Sequence, residues 1–363
     1  MFSRTKPASP ERSLTVTDHS PESCRRRLQI TLAAAAIAPV REAVVKEFQK
    51  DATIAGFRKG KAPRELVERH HSEQIREELI RRLTRHSLEQ AVEERRLKPV
   101  GPFEISQVTL DDKGLALDAQ VEVEPEFALG GYRKIPLKRA PLFVSPEELQ
   151  KALGQLQESA AQLVPTADGQ SKERRIPALD DEFAKDVGFE TLEKLKAHLE
   201  AKGREQKQAL QRQQLEQSLC DALLSRQPFE VPAGLVARQT ERLTRDFFVR
   251  LLMSGRSEDE AKKELEGYTE GLRTSAARHV KLSFILDRIA EQEKISVAQH
   301  ELVDRLWTLA RQWGKDPGQV RKLLDERGLW PSVLSSIRQD KTISWLMSQA
   351  HIEETTTSMP VSR

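Results

Sequence analysis

The stretch Gly56-Phe57-Arg58-Lys59-Gly60-Lys61-Ala62-Pro63 gathers the residue types that could act on a partner. Two glycines let the backbone turn at positive φ. Pro63 fixes φ at the entrance of a following helix. Between the glycines stand one aromatic ring and two cations, with Lys61 and Arg64 close behind. Three chemistries compete for this loop. It could be a solvated basic turn. It could cradle phosphate, but that needs G-x-x-x-x-G-K-[ST]. Here the glycines are too close and Ala62 follows Lys61, so both spacing and hydroxyl fail. Or it could dock on a large anionic surface, with Arg58 and Lys59 meeting phosphate or acidic side chains and Phe57 entering an apolar pocket.

Other constellations are weaker. His70-His71 beside Glu73 lacks a third ligand at metal spacing and reads as a solvated helix end. Asp180, Asp181 and Glu182 could mimic paired catalytic carboxylates, but acidic residues at a helix start are ordinary caps. Cys24 and Cys220 are the only cysteines and form no CxxC, which fits a reducing compartment. Trp307, Trp313, Trp330 and Trp345 fall late and are expected to anchor the packing of the last helices. No catalytic residue, cofactor or metal is expected.

The elements that would position the basic loop follow from periodicity. Ser13 to Thr17 and Arg27 to Leu32 alternate as half-buried strands, and Ala33 to Lys50 reads as a helix with Val40, Val44, Val45 and Phe48 on one face. Beyond the loop, Arg64 to Arg96 reads as two helical stretches. Phe103 to Leu110 and Gly114 to Val123 form a strand–turn–strand unit. Residues 13–126 thus make one α+β domain, preceded by a disordered extension over 1–12. Residues 127–178 read as a linker holding one helix, 145–163, opened by the Ser145-Pro146-Glu147-Glu148 capping box. The rest, 179–352, reads as an elongated all-α domain with helical arms, and 353–363 as a disordered tail. Thr191 should cap a helix reaching Ser225, whose polar middle suggests an exposed arm. Ser257 with Glu260, and Ser296 with Gln299, suggest further capping boxes.

Composition bounds the function. The 363 residues carry a net charge of only +3 although 32% are charged, which argues against a general nucleic-acid coat. Hydrophobic content is 38% and aromatic content 5%, so thin local cores are expected. The N-terminus has no apolar secretory core and no run of about 18 apolar residues occurs. Cytoplasmic location is the expectation.

In this context the basic loop resembles the ribosome-docking signature of the trigger factor family of bacterial chaperones. Cys24 to Leu32 and the following helix are similar to the start of that family's N-terminal domain. Leu179-Asp180-Asp181-Glu182-Phe183-Ala184-Lys185-Asp186 resembles the entry to its helical domain. Phe229-Glu230-Val231-Pro232 and Ile295-Ser296-Val297 resemble later junctions. One departure matters: the family places an FKBP-like prolyl isomerase before the helical arms. Here Val164 to Ala178 alone joins the two parts, far short of the roughly hundred residues such a domain needs.

The resemblance implies an ATP-independent chaperone that docks at the ribosomal polypeptide exit and shields nascent chains, serving protein folding and export. Gly56, Phe57, Arg58, Lys59, Gly60, Lys61 and Arg64 would form the ribosome-binding loop, facing an exit-tunnel protein and ribosomal RNA phosphate. Phe247, Phe248, Leu251, Leu252 and Met253 would hold clients, unless they bury against neighbouring helices. Free copies of the family can pair as homodimers. Isomerase activity should be missing with its domain. Two alternatives stay open: isomerase activity at an unrecognised site, and a holdase independent of ribosomes.

Overall fold

The computed structural model describes residues 14–165 and 172–354. The expected extension over 1–12 and residues 355–363 of the expected tail lie outside them. In chain order the first elements are β1 (Leu14–Glu22), β2 (Arg25–Ala33), α1 (Ala34–Asp51), α2 (Arg64–His70), α3 (Ser72–Arg95), β3 (Glu104–Asp111), β4 (Gly114–Glu122) and β5 (Pro136–Arg139). There follow α4 (Pro146–Ser159), β6 (Gln162–Pro165), β7 (Lys172–Arg175), α5 (Asp181–Asp186), α6 (Leu192–Arg226), α7 (Ala233–Met253) and α8 (Glu258–Gln292). The last are α9 (Gln299–Trp313), α10 (Pro317–Glu326), α11 (Trp330–Gln349) and β8 (His351–Glu354). The chain divides into two compact units: Met1–Ala128 with Pro228–Phe284, and Leu129–Gln227 with Ile285–Arg363.

In the first unit the strands form one antiparallel sheet in the order β1-β2-β4-β3. Alternation decides which face is buried. Leu28, Ile30 and Leu32 of β2 and Leu115, Leu117 and Val121 of β4 turn to one side. There Ile37 of α1 and Leu79, Leu83 and Leu88 of α3 complete the core. Leu83 is fully buried, so its truncation to Ala should cost about 2–5 kcal/mol. The α+β expectation for this region holds. Residues after Pro228 join the same unit through specific bonds. Gly234 N donates to Glu122 Oε1 at 2.6 Å, Cys24 Sγ donates to the Glu230 carbonyl at 3.2 Å, and Phe127 stacks on Phe229 at 4.0 Å.

The second unit revises several expectations. The segment read as a linker is ordered: Tyr132, Ile135 and Leu137 are buried, and β5 pairs in parallel with β8. Its glycines and prolines masked a short alternation of apolar residues. Glu353 and Glu354 lie in that strand rather than in a tail. The Ser145 capping box forms, but α4 stops at Ser159. The polar connection beyond it is an antiparallel hairpin, β6 with β7. No isomerase-sized domain stands between α4 and α5 among the described residues. The polar middle of α6 is largely exposed, as expected of an arm, and is tied down at a few points. Lys207 Nζ donates to the Phe143 carbonyl at 2.7 Å and to Glu148 Oε2 at 2.6 Å, and Leu215 is buried. Thr191 caps α6 as expected, while α9 is capped from Ala298, whose N donates to Glu301 Oε2, and not from Ser296. Among the described residues no helix is long and apolar enough to cross a membrane.

Candidate functional site

The basic loop is mounted on its own small core, separate from the one under the sheet. Val44 and Val45 of α1, Val67 of α2 and Ile75 of α3 pack together, and the two ends of the loop are pinned among them through Ile54 and Ala62. Apolar burial therefore holds the stems while residues 55–59 and Lys61 are exposed.

Two turns set the tip. Phe57 N donates to the Ile54 carbonyl at 3.0 Å, and Lys61 N donates to the Arg58 carbonyl at 2.9 Å. Gly60 N donates across the loop to the Ala52 carbonyl at 3.2 Å, and Gln49 Nε2 donates to the Ala62 carbonyl at 2.8 Å. Gly56 and Gly60 have φ of +87° and +78°, in the region that side chains disfavour. Pro63 stands as the residue before the first turn of α2, one step earlier than a first-turn proline.

Phe57 is 42% exposed, although leaving an aromatic ring in water costs free energy relative to burying it. It sits at the outer turn beside Arg58 and Lys59. Lys59 Nζ lies 3.6 Å from Asp51 Oδ1 with both side chains in solvent, a pair that contributes little. Arg64 Nε donates to Glu68 Oε1 at 2.9 Å, and this bond raises the guanidinium above its ordinary range. Arg64 is paired within its own helix, but its side chain is 53% exposed and such a pair contributes little; Arg58, Lys59 and Lys61 are the cations on the loop itself. The arrangement has no nucleophile, no acid–base pair and no phosphate cradle. It can present one ring and three cations on a stiff support.

The apolar cluster at the end of α7 is only partly exposed. Leu251 is buried, and Phe247 and Phe248 are half-buried, with Phe247 edge-on to Tyr268 at 5.2 Å. Leu252 and Met253 face solvent at 39% and 83% exposure. Sequence reasoning missed Val249 and Tyr268, both exposed beside them; the i, i+3 spacing of Val249 and Leu252 was the available signal.

Most of the remaining singled-out residues have structural partners. His71 Nδ1 lies 2.6 Å from Gln74 Oε1, and its ring is 6.1 Å from that of Phe48. Asp180 accepts from Phe183 N at 2.9 Å, and Asp181 accepts from Leu192 N at 2.7 Å, so both serve helix starts. Trp330 and Trp345 pack as expected, whereas Trp307 and Trp313 are exposed.

Comparison with known proteins bears on the family and the fold. Residues 14–156 match the family model described as bacterial trigger factor protein, and residues 191–348 match the model of its C-terminus. A trigger factor of Geobacter sp. (strain M21) is 25% identical over 94% of this chain and 98% of its own length. One from Carboxydothermus hydrogenoformans is 26% identical, covering 93% and 99%. The Geobacter alignment runs over 429 positions, and 94% of 363 residues is about 341, so roughly 88 positions have no counterpart here. A solved structure described as "Promiscuous Substrate Recognition in Folding and Assembly Activities of the Trigger Factor Chaperone" shares the fold. It has a TM-score of 0.55 and 20% identity over 92% of this chain and 99% of that one.

Proposed function

The chain belongs to the bacterial trigger factor family, and from that premise we infer how its parts divide the work of a ribosome-associated chaperone. The Gly56–Lys61 loop docks on the large ribosomal subunit beside the polypeptide exit, in the cytoplasm. Phe57 enters an apolar pocket while Arg58, Lys59 and Lys61 meet acidic side chains or ribosomal RNA phosphate. The observation that supports this reading is the exposed ring held between cations on a loop whose stems are buried. Arg64, exposed at the start of α2, is a secondary contact. Charge-assisted contacts of this kind weaken with salt.

Clients bind without nucleotide through scattered apolar contacts, among them Leu252, Met253 and half-buried Phe247 and Phe248, with Leu251 as support. Such contacts are weak singly and add by multivalency. The functional division we retain is an α+β docking domain over 13–126 and a helical client-holding part over 179–352. Free copies associate as homodimers. Lack of isomerase activity is part of the same proposal, and the antiparallel pair β6–β7 between α4 and α5 supports it. A proline-limited refolding assay tests that; clear catalysis would overturn it. The docking reading is tested by pelleting ribosomes with the triple variant Phe57→Ala, Arg58→Ala, Lys59→Ala at two salt concentrations. Loss of co-sedimentation with an unchanged unfolding midpoint is expected, and retained binding would sink it.

A further inference from the structure

The first unit holds an apolar trough of about 720 Å³ that the basic loop does not line. One flank is the α3 ridge of Ile80, Leu88 and Val92, and the other is β3 with Phe103, Ile105 and Val108. The trough exists because the four-stranded sheet is wider than its helical cover. Ile105 pairs with buried Ala119 and so points to the inner face, yet it is 44% exposed.

Two further features define what fits. First, β3 is the last strand of the sheet, and no backbone–backbone bond leaves its outer side among the described residues. An open edge is a template for another strand. The register shift between Ile105 and Gln107 leaves Gln107 to Asp111 as the regular stretch of that edge. Second, the rim is polarised. Arg81 and Arg85 are followed along α3 by Glu89 and Glu93, all lining the trough. Arg76 of α3 donates to the Leu110 carbonyl, so α3 and β3 run in opposite directions. The arginines therefore flank the Val108 end and the glutamates the Ile105 end.

We propose that β3 and this trough bind an extended polypeptide segment of alternating apolar residues by antiparallel strand addition, acidic at the segment's N-terminal flank and basic at its C-terminal flank. The open edge bonds the segment's backbone, every second side chain closes the trough, and the charge order along α3 selects direction. Antiparallel pairing also gives the better-aligned ladder. The inference rests on the chaperone reading and adds to it a client site with a sequence preference.

The probe is a fluorescent acetyl-Asp-Val-Thr-Ile-Ser-Val-Thr-Lys-amide added to the full chain. Binding is read by anisotropy and by hydrogen exchange. Slower exchange is expected at those amides between Gln107 and Asp111 that face away from β4. Ile105→Glu, at an exposed position, should weaken binding about tenfold or more. N-methylation of alternate peptide amides should abolish it, which requires no change to the protein. Exchanging the terminal Asp and Lys should weaken it.

Equal binding by the N-methylated peptide would overturn the proposal. So would protection confined to other segments. Edge amides already protected without peptide, in proportion to protein concentration, would place a second copy there instead. If ribosome pelleting and suppression of aggregation persist without peptide binding, this site fails alone. If the peptide binds as described but both those activities are missing, the chaperone reading fails and the site stands.

Discussion

Gly60 packs so closely on Lys50 that a Cβ at residue 60 would lie 2.9 Å from the Lys50 carbonyl oxygen. The carbonyl is backbone at the last turn of α1 and cannot swing away. Gly56, by contrast, has open space at the same point, though its φ is also positive. Gly60→Ala should therefore destabilise the loop by about 1–3 kcal/mol and weaken ribosome co-sedimentation. Gly56→Ala should do less of both. Pelleting combined with thermal unfolding separates the two, and equal effects would contradict the asymmetry.

Phe57 and Ile54 stand three residues apart with opposite exposures, 42% and 9%. Phe57→Ala should leave the unfolding midpoint within about 0.5 kcal/mol, as exposed positions do. Ile54→Ala removes a buried anchor and should cost about 2–4 kcal/mol. Urea unfolding measures both. A large stability loss for Phe57→Ala would mean that the ring is structural.

How much of this was legible in the sequence depends on the range over which each signal acts. Thr191 and Ser145 were readable as helix starts because capping geometry is settled within one turn. The loop tip was readable from its glycines. Its mounting was not, since Ile54 and Ala62 meet α1, α2 and α3 only through tertiary packing. Strand β5 was hidden for a similar reason. Four residues between glycines and prolines look like a linker until β8, more than two hundred residues later, supplies the partner. The exposure of the polar middle of α6 was readable from composition, whereas the anchoring of Lys207 and Gln211 on the 140–148 segment was not.

Glu148 makes stability in the second unit sensitive to acid. The Lys207 ammonium, and then Ser145 N–H, hold its carboxyl below the ordinary value of 4.5. Because the folded value is depressed, this contribution is complete above 4.5 and is lost as pH falls through the folded value. Lys207→Met removes the largest cause. Its urea midpoint should fall less than that of the unaltered chain between neutral pH and about pH 3. Equal losses would show that the pair is not responsible.

Leu252→Ser with Met253→Ser removes exposed apolar surface from the end of α7. Suppression of aggregation of a denatured test protein should fall, while the unfolding midpoint shifts by no more than about 0.5 kcal/mol. Unchanged suppression would remove this patch from the client surface.

Ending the chain after Ala350 deletes β8 and leaves β5 without its partner. Amide exchange at Leu137 and Lys138 should accelerate by about tenfold or more, while the β2–β4 ladder keeps its protection. Unaltered exchange at those amides would show that β5 is held by other contacts.

The pairing of β5 with β8 also orders events in time. A ribosome makes residues 351–354 more than two hundred residues after 136–139, so β5 must wait that long for its partner. The sheet of the first unit needs nothing beyond Glu122 for its four strands. A molecule that attends other proteins during translation is thus divided by translation itself. Its four-stranded sheet can form once Glu122 has been made, and β5 can pair only after residues 351–354 have followed.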